Sequence, residues 1–203
     1  GNAFSCRLSD EIVRIMKNFK TIGLFLVAFS LAIFFGFSEM QNKQYVDISN
    51  SITAEDEVAY FASGCFWCVE AIYESVEGVS EAVSGYSGGK EENPTYKQVG
   101  YGLTTHAEAV EVYYDENIVS FETLVDVFFG SHDPTTKNRQ GPDKGIQYRS
   151  IAFYQNEKEK EIIEEKIKAL NESTFEGKIV TQVLPFQKFW IAEGYHQNYE
   201  KNN

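Results

Sequence analysis

The stretch VAYFASGCFWCVE, residues 58–70, contains the change of pattern around which the fold is organised. Its first five residues form an apolar run that ends at a Ser-Gly pair, which is typical of a buried β-strand followed by a tight turn. From Cys65 onward, apolar residues recur at helical spacing and predict one buried helix face: Val69, Ile72 and Val76. A strand that turns sharply into a helix therefore places Cys65 at the start of that helix.

Strand and helix patterns alternate along the rest of the chain. Strands are predicted over residues 79–86, 106–115, 149–154 and 178–184, and helices after Ser120 and over residues 156–173. This interleaving predicts an α+β fold, an α/β two-layer sandwich in which helices pack on a mixed β-sheet with a ferredoxin-like βαβ core. We expect the aromatic-rich C-terminal residues 186–203 to form a long irregular segment.

The N-terminal part of the chain has the pattern of a targeting segment. Residues 22–37 carry no charge and follow basic residues, as in a secretory signal peptide, with a possible cleavage site after Ser38. An uncleaved membrane anchor is the alternative, although a spanning helix needs about 20 apolar residues. In either case we expect the protein to be secreted, periplasmic or membrane-anchored, facing outside the cytoplasm, and to touch a membrane only through this segment.

These patterns predict three parts of the chain. Residues 1–38 comprise an upstream segment, residues 1–15, and the signal peptide or anchor, with the native start expected at Met16. Residues 39–57 are polar and without periodicity, which indicates a linker. Residues 58–203 form the folded domain.

The composition excludes several classes of function. The net charge of −12 argues against nucleic-acid binding, which requires basic patches. The chain has only three cysteines, Cys6, Cys65 and Cys68, which are too few for a disulfide scaffold. No second CxxC or HxxxH motif completes a zinc site, so we expect no metal and no bound cofactor.

The CxxC pair can carry redox chemistry. Free backbone N–H groups and the helix dipole favour a thiolate at Cys65, and Cys68 lies one turn later on the same face. Their Cα atoms would be about 5–5.5 Å apart, within the range for a disulfide. Cys65 can thus act as nucleophile and Cys68 as resolving thiol, unless both are buried structural thiols. Phe66 and Trp67 can form an apolar cup for a methyl-bearing group, or simply fill the core.

Glu108 is anomalous in the predicted strand 106–115. It shares a face with Val110 and Val112, which should be the buried face. Desolvation would raise the pKa of this carboxyl and make it a proton donor near neutral pH. The alternative is a strand-end glutamate that reaches water.

Six motifs occur in an order that resembles one enzyme family. They are GCFWCVE at residues 64–70, SGYSGG at 84–89, NPTY at 93–96, HAEAV at 106–110, HDPTTKNRQGPDKGIQYRS at 132–150 and YHQNY at 195–199. From about Val58 to Asn202, the chain resembles the peptide-methionine (S)-S-oxide reductase family, MsrA.

The resemblance implies reduction of the S-epimer of methionine sulfoxide, free or in proteins. It implies that Cys65 attacks the sulfur and that Glu108 protonates the oxygen. It assigns substrate binding to five side chains: Phe66 and Trp67 around the methyl group, Tyr96 and Tyr148 at the oxygen, and Asp143 at the substrate backbone. His196 and Tyr199 are weaker candidates for lining the site.

Recycling of the thiol follows from the resemblance together with the CxxC spacing. Loss of methionine leaves Cys65 as a sulfenic acid, which Cys68 converts to a disulfide. Many family members have Gly at this position and carry resolving cysteines in a C-terminal tail, whereas no cysteine follows Cys68 here. We expect a thioredoxin or thioredoxin-like protein to reduce the disulfide, and the enzyme to act as a monomer.

Two other functions remain open from the residues alone. A general thiol–disulfide oxidoreductase would act on protein disulfides and would not need Glu108. A non-enzymatic metal-binding or redox-sensing module would bind zinc with both thiols. Separate S and R epimers of a methyl sulfoxide distinguish these possibilities, because only the reductase consumes one epimer.

Overall fold

The computed structural model describes residues 52–203. Several predictions fall outside the described residues: the signal segment or anchor, the start at Met16 and most of the linker. Cys6 lies outside them as well. The first strand begins at Glu57, the last residue of that linker. No helix within residues 52–203 is long and apolar enough to cross a membrane.

A six-stranded mixed sheet forms the centre of the domain, in the order β7-β6-β1-β3-β2-β8. The strands are β1 (Glu57–Ser63), β2 (Val79–Ser87), β3 (Ala107–Tyr114), β6 (Ser150–Tyr154), β7 (Gln182–Pro185) and β8 (Phe189–Ile191). Within this sheet of the described residues, β6 and β7 pair in parallel, and the other neighbouring strands pair antiparallel. A separate hairpin pairs two short strands of two residues each, β4 (Arg139–Gln140) and β5 (Asp143–Lys144).

The helices confirm the predicted α+β class. They are α1 (Phe66–Glu74), α2 (Tyr96–Gly100), α3 (Phe121–Ser131), α4 (Glu157–Leu170) and α5 (Tyr199–Asn202). Helix α1 joins β1 to β2, and α3 joins β3 to the long loop before β6. With the strand order β6-β1-β3-β2, this connectivity is the ferredoxin-like core.

Two apolar clusters cover the two faces of the sheet. The larger one contains alternate residues of the central strands, such as Phe61 and Val110, packed against helices α1 and α3. On helix α1 the buried apolar residues are Phe66, Val69 and Tyr73. Of the predicted face, Val69 is buried and Val76 packs against the core, whereas Ile72 is only half-buried and Tyr73 is fully buried.

The C-terminal segment is more regular than predicted. Strands β7 and β8 lie at the two edges of the sheet, and the chain between them crosses its second face. There Phe186 stacks on Tyr60 with ring centroids 3.6 Å apart. No strand was predicted there because β8, with only three residues, is too short to show an alternating pattern. Its pairing with β2, which is distant in sequence, defines it as a strand.

Candidate active site

Cys65 lies at the junction of β1 and α1, as the N-cap residue of the helix. The preceding Gly64 has φ +107°, and a Cβ there would lie 2.8 Å from the side chain of Gln140. Glycine is required because L side chains rarely adopt this conformation and no space exists for one. The turn thereby presents Cys65 at the helix N-terminus, as predicted.

The ionisation of Cys65 differs from the expectation. Burial and the charge of Glu108 raise the pKa of the thiol to about 12, although the backbone N–H groups of Trp67 and Cys68 act in the opposite direction. The helix start therefore favours a thiolate, as predicted, but desolvation and the nearby carboxylate outweigh it. Cys65 is a neutral thiol in the free protein at neutral pH.

Glu108 is buried, with 2% of its surface exposed, and does not reach water at the strand end. Its Oε2 accepts a hydrogen bond of 3.1 Å from the backbone N–H of Phe66. Burial raises the pKa of Glu108 to about 7, and the charge of Asp143 adds to this while the Phe66 N–H opposes it. Near neutral pH, the carboxyl can therefore hold or release a proton.

Phe66, Trp67 and Tyr96 form an aromatic wall. The ring centroids of Phe66 and Trp67 are 6.0 Å apart. The ring centroid of Tyr96 lies 6.1 Å from that of Phe66 and 6.4 Å from that of Trp67. Phe66 is buried in the core, whereas Trp67 and Tyr96 are half-buried. Phe66 therefore also fills the core, whereas part of the Trp67 and Tyr96 rings is accessible from outside.

Tyr148 lies within electrostatic reach of the same groups. Burial and then the charges of Glu108 and Asp143 raise the pKa of its phenol to about 12, and Cys65 contributes in the same direction. The pKa of Tyr96 is raised by burial, Glu108 and Cys65. Both phenols therefore remain protonated at neutral pH and can donate hydrogen bonds.

The loop before β6 is anchored so that Asp143 and Tyr148 keep their positions. Asp143 pairs with Gln140 in the β4–β5 hairpin. The side chain of Gln147 donates to the Gly100 carbonyl at the end of α2, over 3.2 Å. Arg149 donates to the carbonyls of Gly88 and Thr105 over 3.1 and 3.0 Å. These bonds tie the loop to helix α2 and to the residues just after β2 and just before β3.

The weaker candidates His196 and Tyr199 both contact Trp67. The indole N–H of Trp67 donates to Nδ1 of His196 over 3.0 Å. The ring of Tyr199 stacks on the indole with centroids 3.8 Å apart. The structure thus brings both residues to the aromatic wall.

The two cysteines are free and differ in exposure. Cys65 is half-buried, and Cys68 is exposed on the first turn of α1. The charge of Cys68 contributes to the raised pKa of Cys65, so the two sulfurs interact electrostatically. The alternative of two buried structural thiols does not describe this pair. Among residues 52–203, no group of three or more His, Cys, Asp or Glu side chains could hold a metal ion.

Sequence reasoning missed two glutamates that support the site. Glu193 accepts hydrogen bonds from the Tyr86 hydroxyl and the Tyr96 backbone N–H, over 2.9 and 3.0 Å. Glu70 is 1% exposed and accepts from the Ser84 hydroxyl and from the backbone N–H of Asn198. A glutamate on the apolar face of α1 was a detectable signal for Glu70, whereas nothing local marks Glu193.

Replacing Glu70 with Ala is expected to loosen the C-terminal segment, because the buried Ser84 hydroxyl and Asn198 N–H lose their acceptor. The expected cost is about 1–3 kcal/mol in the free energy of unfolding. Hydrogen exchange of residues 193–203 should accelerate. Glu70→Gln is the matched control, since its amide can still accept from Asn198 and donate to Ser84. Unchanged exchange in the Ala variant would show that other contacts hold the segment.

Comparisons with known proteins identify the family of the chain. The model of the family described as peptide methionine sulfoxide reductase matches residues 57–203. The chain is 52% identical over 148 residues to peptide methionine sulfoxide reductase MsrA 1 of Rhodopirellula baltica, covering 73% of this chain and 77% of the relative.

Solved structures of known proteins are also similar to this chain. The crystal structure of Mxr1 from Saccharomyces cerevisiae in reduced form has 38% identity and a TM-score of 0.67, covering 74% of this chain and 87% of that one. Mxr1 in complex with Trx2 has 27% identity and a TM-score of 0.50, covering 72% and 86%. The chain therefore belongs to the peptide methionine sulfoxide reductase family.

Proposed function

We propose that this protein reduces the S-epimer of methionine sulfoxide, free or in proteins, to methionine by thiol chemistry at Cys65. The observation that carries the proposal is one cluster of complementary groups. A nucleophilic thiol, a carboxyl with a pKa of about 7 and two protonated phenols lie beside an accessible aromatic wall. Membership of the family supports the substrate and the choice of epimer.

The cluster suits the two ends of a sulfoxide. Phe66 and Trp67 would hold the methyl group on sulfur by apolar contact. Tyr96 and Tyr148 would donate hydrogen bonds to the oxygen, and Asp143 would position the substrate backbone. Attack on sulfur builds negative charge on the oxygen, and donors aimed at that oxygen stabilise the charge as it forms.

Oxygen transfer needs Cys65 and Glu108 together. The Cys65 sulfur forms a bond to the sulfoxide sulfur while Glu108 gives its proton to the oxygen. The thiol proton replaces the proton that Glu108 gave. The oxygen then passes to Cys65 and methionine leaves, so that the sulfoxide is reduced and Cys65 becomes a sulfenic acid. No net proton is consumed in this step.

Cys68 would complete the cycle. Its thiol attacks the sulfenic sulfur, water leaves and a Cys65–Cys68 disulfide forms. A thioredoxin-type dithiol would then reduce the disulfide and become oxidised itself. The similarity to Mxr1, which forms a complex with Trx2, supports this partner. We also propose that the protein acts as a monomer.

The decisive experiment supplies the S and R epimers of methionine sulfoxide separately, with dithiothreitol as reductant. We expect consumption of the S-epimer alone, and none by a Cys65→Ser variant. Consumption of neither epimer, with reduction of protein disulfides instead, would favour a general thiol–disulfide oxidoreductase. Equal consumption of both epimers would contradict the proposed stereochemistry.

A further inference from the structure

His196 is a buried histidine among aromatic rings. It ends the turn Gly194–His196 after β8 and is 2% exposed. Its ring centroid lies 4.2 Å from that of Tyr96, 5.1 Å from Phe66 and 5.5 Å from Trp67. His196 therefore contacts all three rings of the aromatic wall.

The two nitrogens of His196 have unequal partners. Nδ1 accepts the indole N–H of Trp67, so the neutral ring carries its proton on Nε2. Nε2 is buried and has no hydrogen-bond partner among the residues that the structure describes. A buried unpaired donor is destabilising, and an apolar side chain would avoid that cost. The bond to the Trp67 indole is the polar contact that a histidine supplies at this position.

The indole of Trp67 is held in two directions. His196 binds its N–H edge, and the ring of Tyr199 stacks on its face at 3.8 Å with an interplanar angle of 9°. The hydrogen bond prevents the indole from sliding or turning in the plane of the stack. The position of this half-buried ring relative to Phe66 is thereby defined.

We propose that His196 is a positioning residue that sets the width of the pocket for the substituent on sulfur. By holding Trp67, it makes the enzyme select methyl sulfoxides over sulfoxides with a larger alkyl group. The inference rests on the proposed function, in which Phe66 and Trp67 hold that substituent. A released indole would move outward and admit an extra methylene group.

The test compares methionine sulfoxide with ethionine sulfoxide, which carries one more methylene on sulfur. One methylene in a fitted apolar pocket changes kcat/KM by about 10–200-fold. In His196→Leu, which removes the acceptor, we expect the methyl-to-ethyl ratio of kcat/KM to fall by about tenfold. His196→Asn places a carbonyl oxygen near the position of Nδ1 and should retain the ratio within about twofold.

A spectroscopic readout reports on the indole itself. The chain has two tryptophans, so Trp190→Phe leaves Trp67 as the single emitter. In that background, the fluorescence anisotropy of Trp67 should fall in the Leu variant and persist in the Asn variant. His196→Met offers a second apolar replacement if the Leu variant does not fold.

An unchanged ratio in both apolar variants would overturn the proposal. Equal loss of the ratio in the apolar and Asn variants would also overturn it, because His196 would then act through packing alone. Failure of the wild-type protein to reduce methionine sulfoxide is a different result, which would contradict the proposed function and not the role of His196.

Discussion

Replacing Glu108 with Gln is expected to slow the reduction of methionine sulfoxide by about two to three orders of magnitude. The amide keeps the size of the side chain and can still accept the Phe66 N–H, so the fold around it should persist. It cannot transfer a proton to the sulfoxide oxygen. The reaction would then produce an unprotonated oxygen in a buried site, which raises the barrier.

The same substitution should make Cys65 easier to ionise. The charge of Glu108 is one of the two main causes of the raised pKa of this thiol, and Gln removes it. Alkylation of Cys65 by iodoacetamide at a fixed pH should therefore become faster while sulfoxide reduction becomes slower. Peptide mapping separates Cys65 from the other cysteines. Parallel loss of both rates would indicate a damaged site and contradict the role of Glu108 as a proton donor.

The wild-type pH profile follows from the same two groups. Only neutral Glu108 can donate, and its pKa is about 7. As pH rises through this value, the donor is lost and the new carboxylate opposes ionisation of Cys65. We expect the single-turnover rate to fall above about pH 7 in the wild type. The rate should not show this fall in Glu108→Gln. A rate that rises through this range would contradict the assignment.

Replacing Cys68 with Ser is expected to abolish turnover with thioredoxin while leaving one round of reduction intact. Without Cys68, residues 52–203 offer no second thiol to the sulfenic acid on Cys65, so an intramolecular step becomes bimolecular. The multiple-turnover rate should fall by about two orders of magnitude or more. A single-turnover assay should still yield one methionine per protein, because Cys68 does not take part in oxygen transfer.

Trapping distinguishes the outcomes for Cys68→Ser. A cyclic 1,3-diketone should label the sulfenic acid on Cys65 in this variant and not in the wild type. Dithiothreitol at high concentration should restore part of the turnover, since it can attack the sulfenic acid directly. Cys6→Ser is the control and should behave as the wild type. Undiminished turnover of Cys68→Ser with thioredoxin would show that the reductant resolves Cys65 without help.

Local patterns predicted most of the regular structure. Strand β1 is a continuous apolar run bounded by a Ser-Gly turn, and helix α3 has an unbroken apolar face after the cap Ser120. These signals are strong because each element buries one face, and the apolar residues of that face recur at a regular spacing within a short stretch of sequence. The burial of Glu108 was predictable in the same way, from its place on the face of Val110 and Val112.

Features that depend on distant contacts were not predictable. Strand β8 exists through pairing with β2, and Glu193 matters because it meets Tyr86 and the Tyr96 backbone, about a hundred residues earlier. The spacing of apolar residues within three or four positions does not indicate which distant strand or side chain a residue will contact. The same reason explains the face of helix α1, where Tyr73 is buried and Ile72 is not.

The sequence by itself determined the order of the longer strands and helices, the placement of Cys65 at a helix start and the family to which the motifs belong. Tertiary structure decided the electrostatic balance at Cys65. The helix start favours a thiolate, but burial and Glu108, brought from β3, keep the sulfur protonated. Tertiary structure also decided which residues support Trp67, because His196 and Tyr199 follow β8 in the chain and contact the indole only in the folded domain. Both outcomes depend on desolvation and on groups far apart in the chain, which a local pattern does not encode.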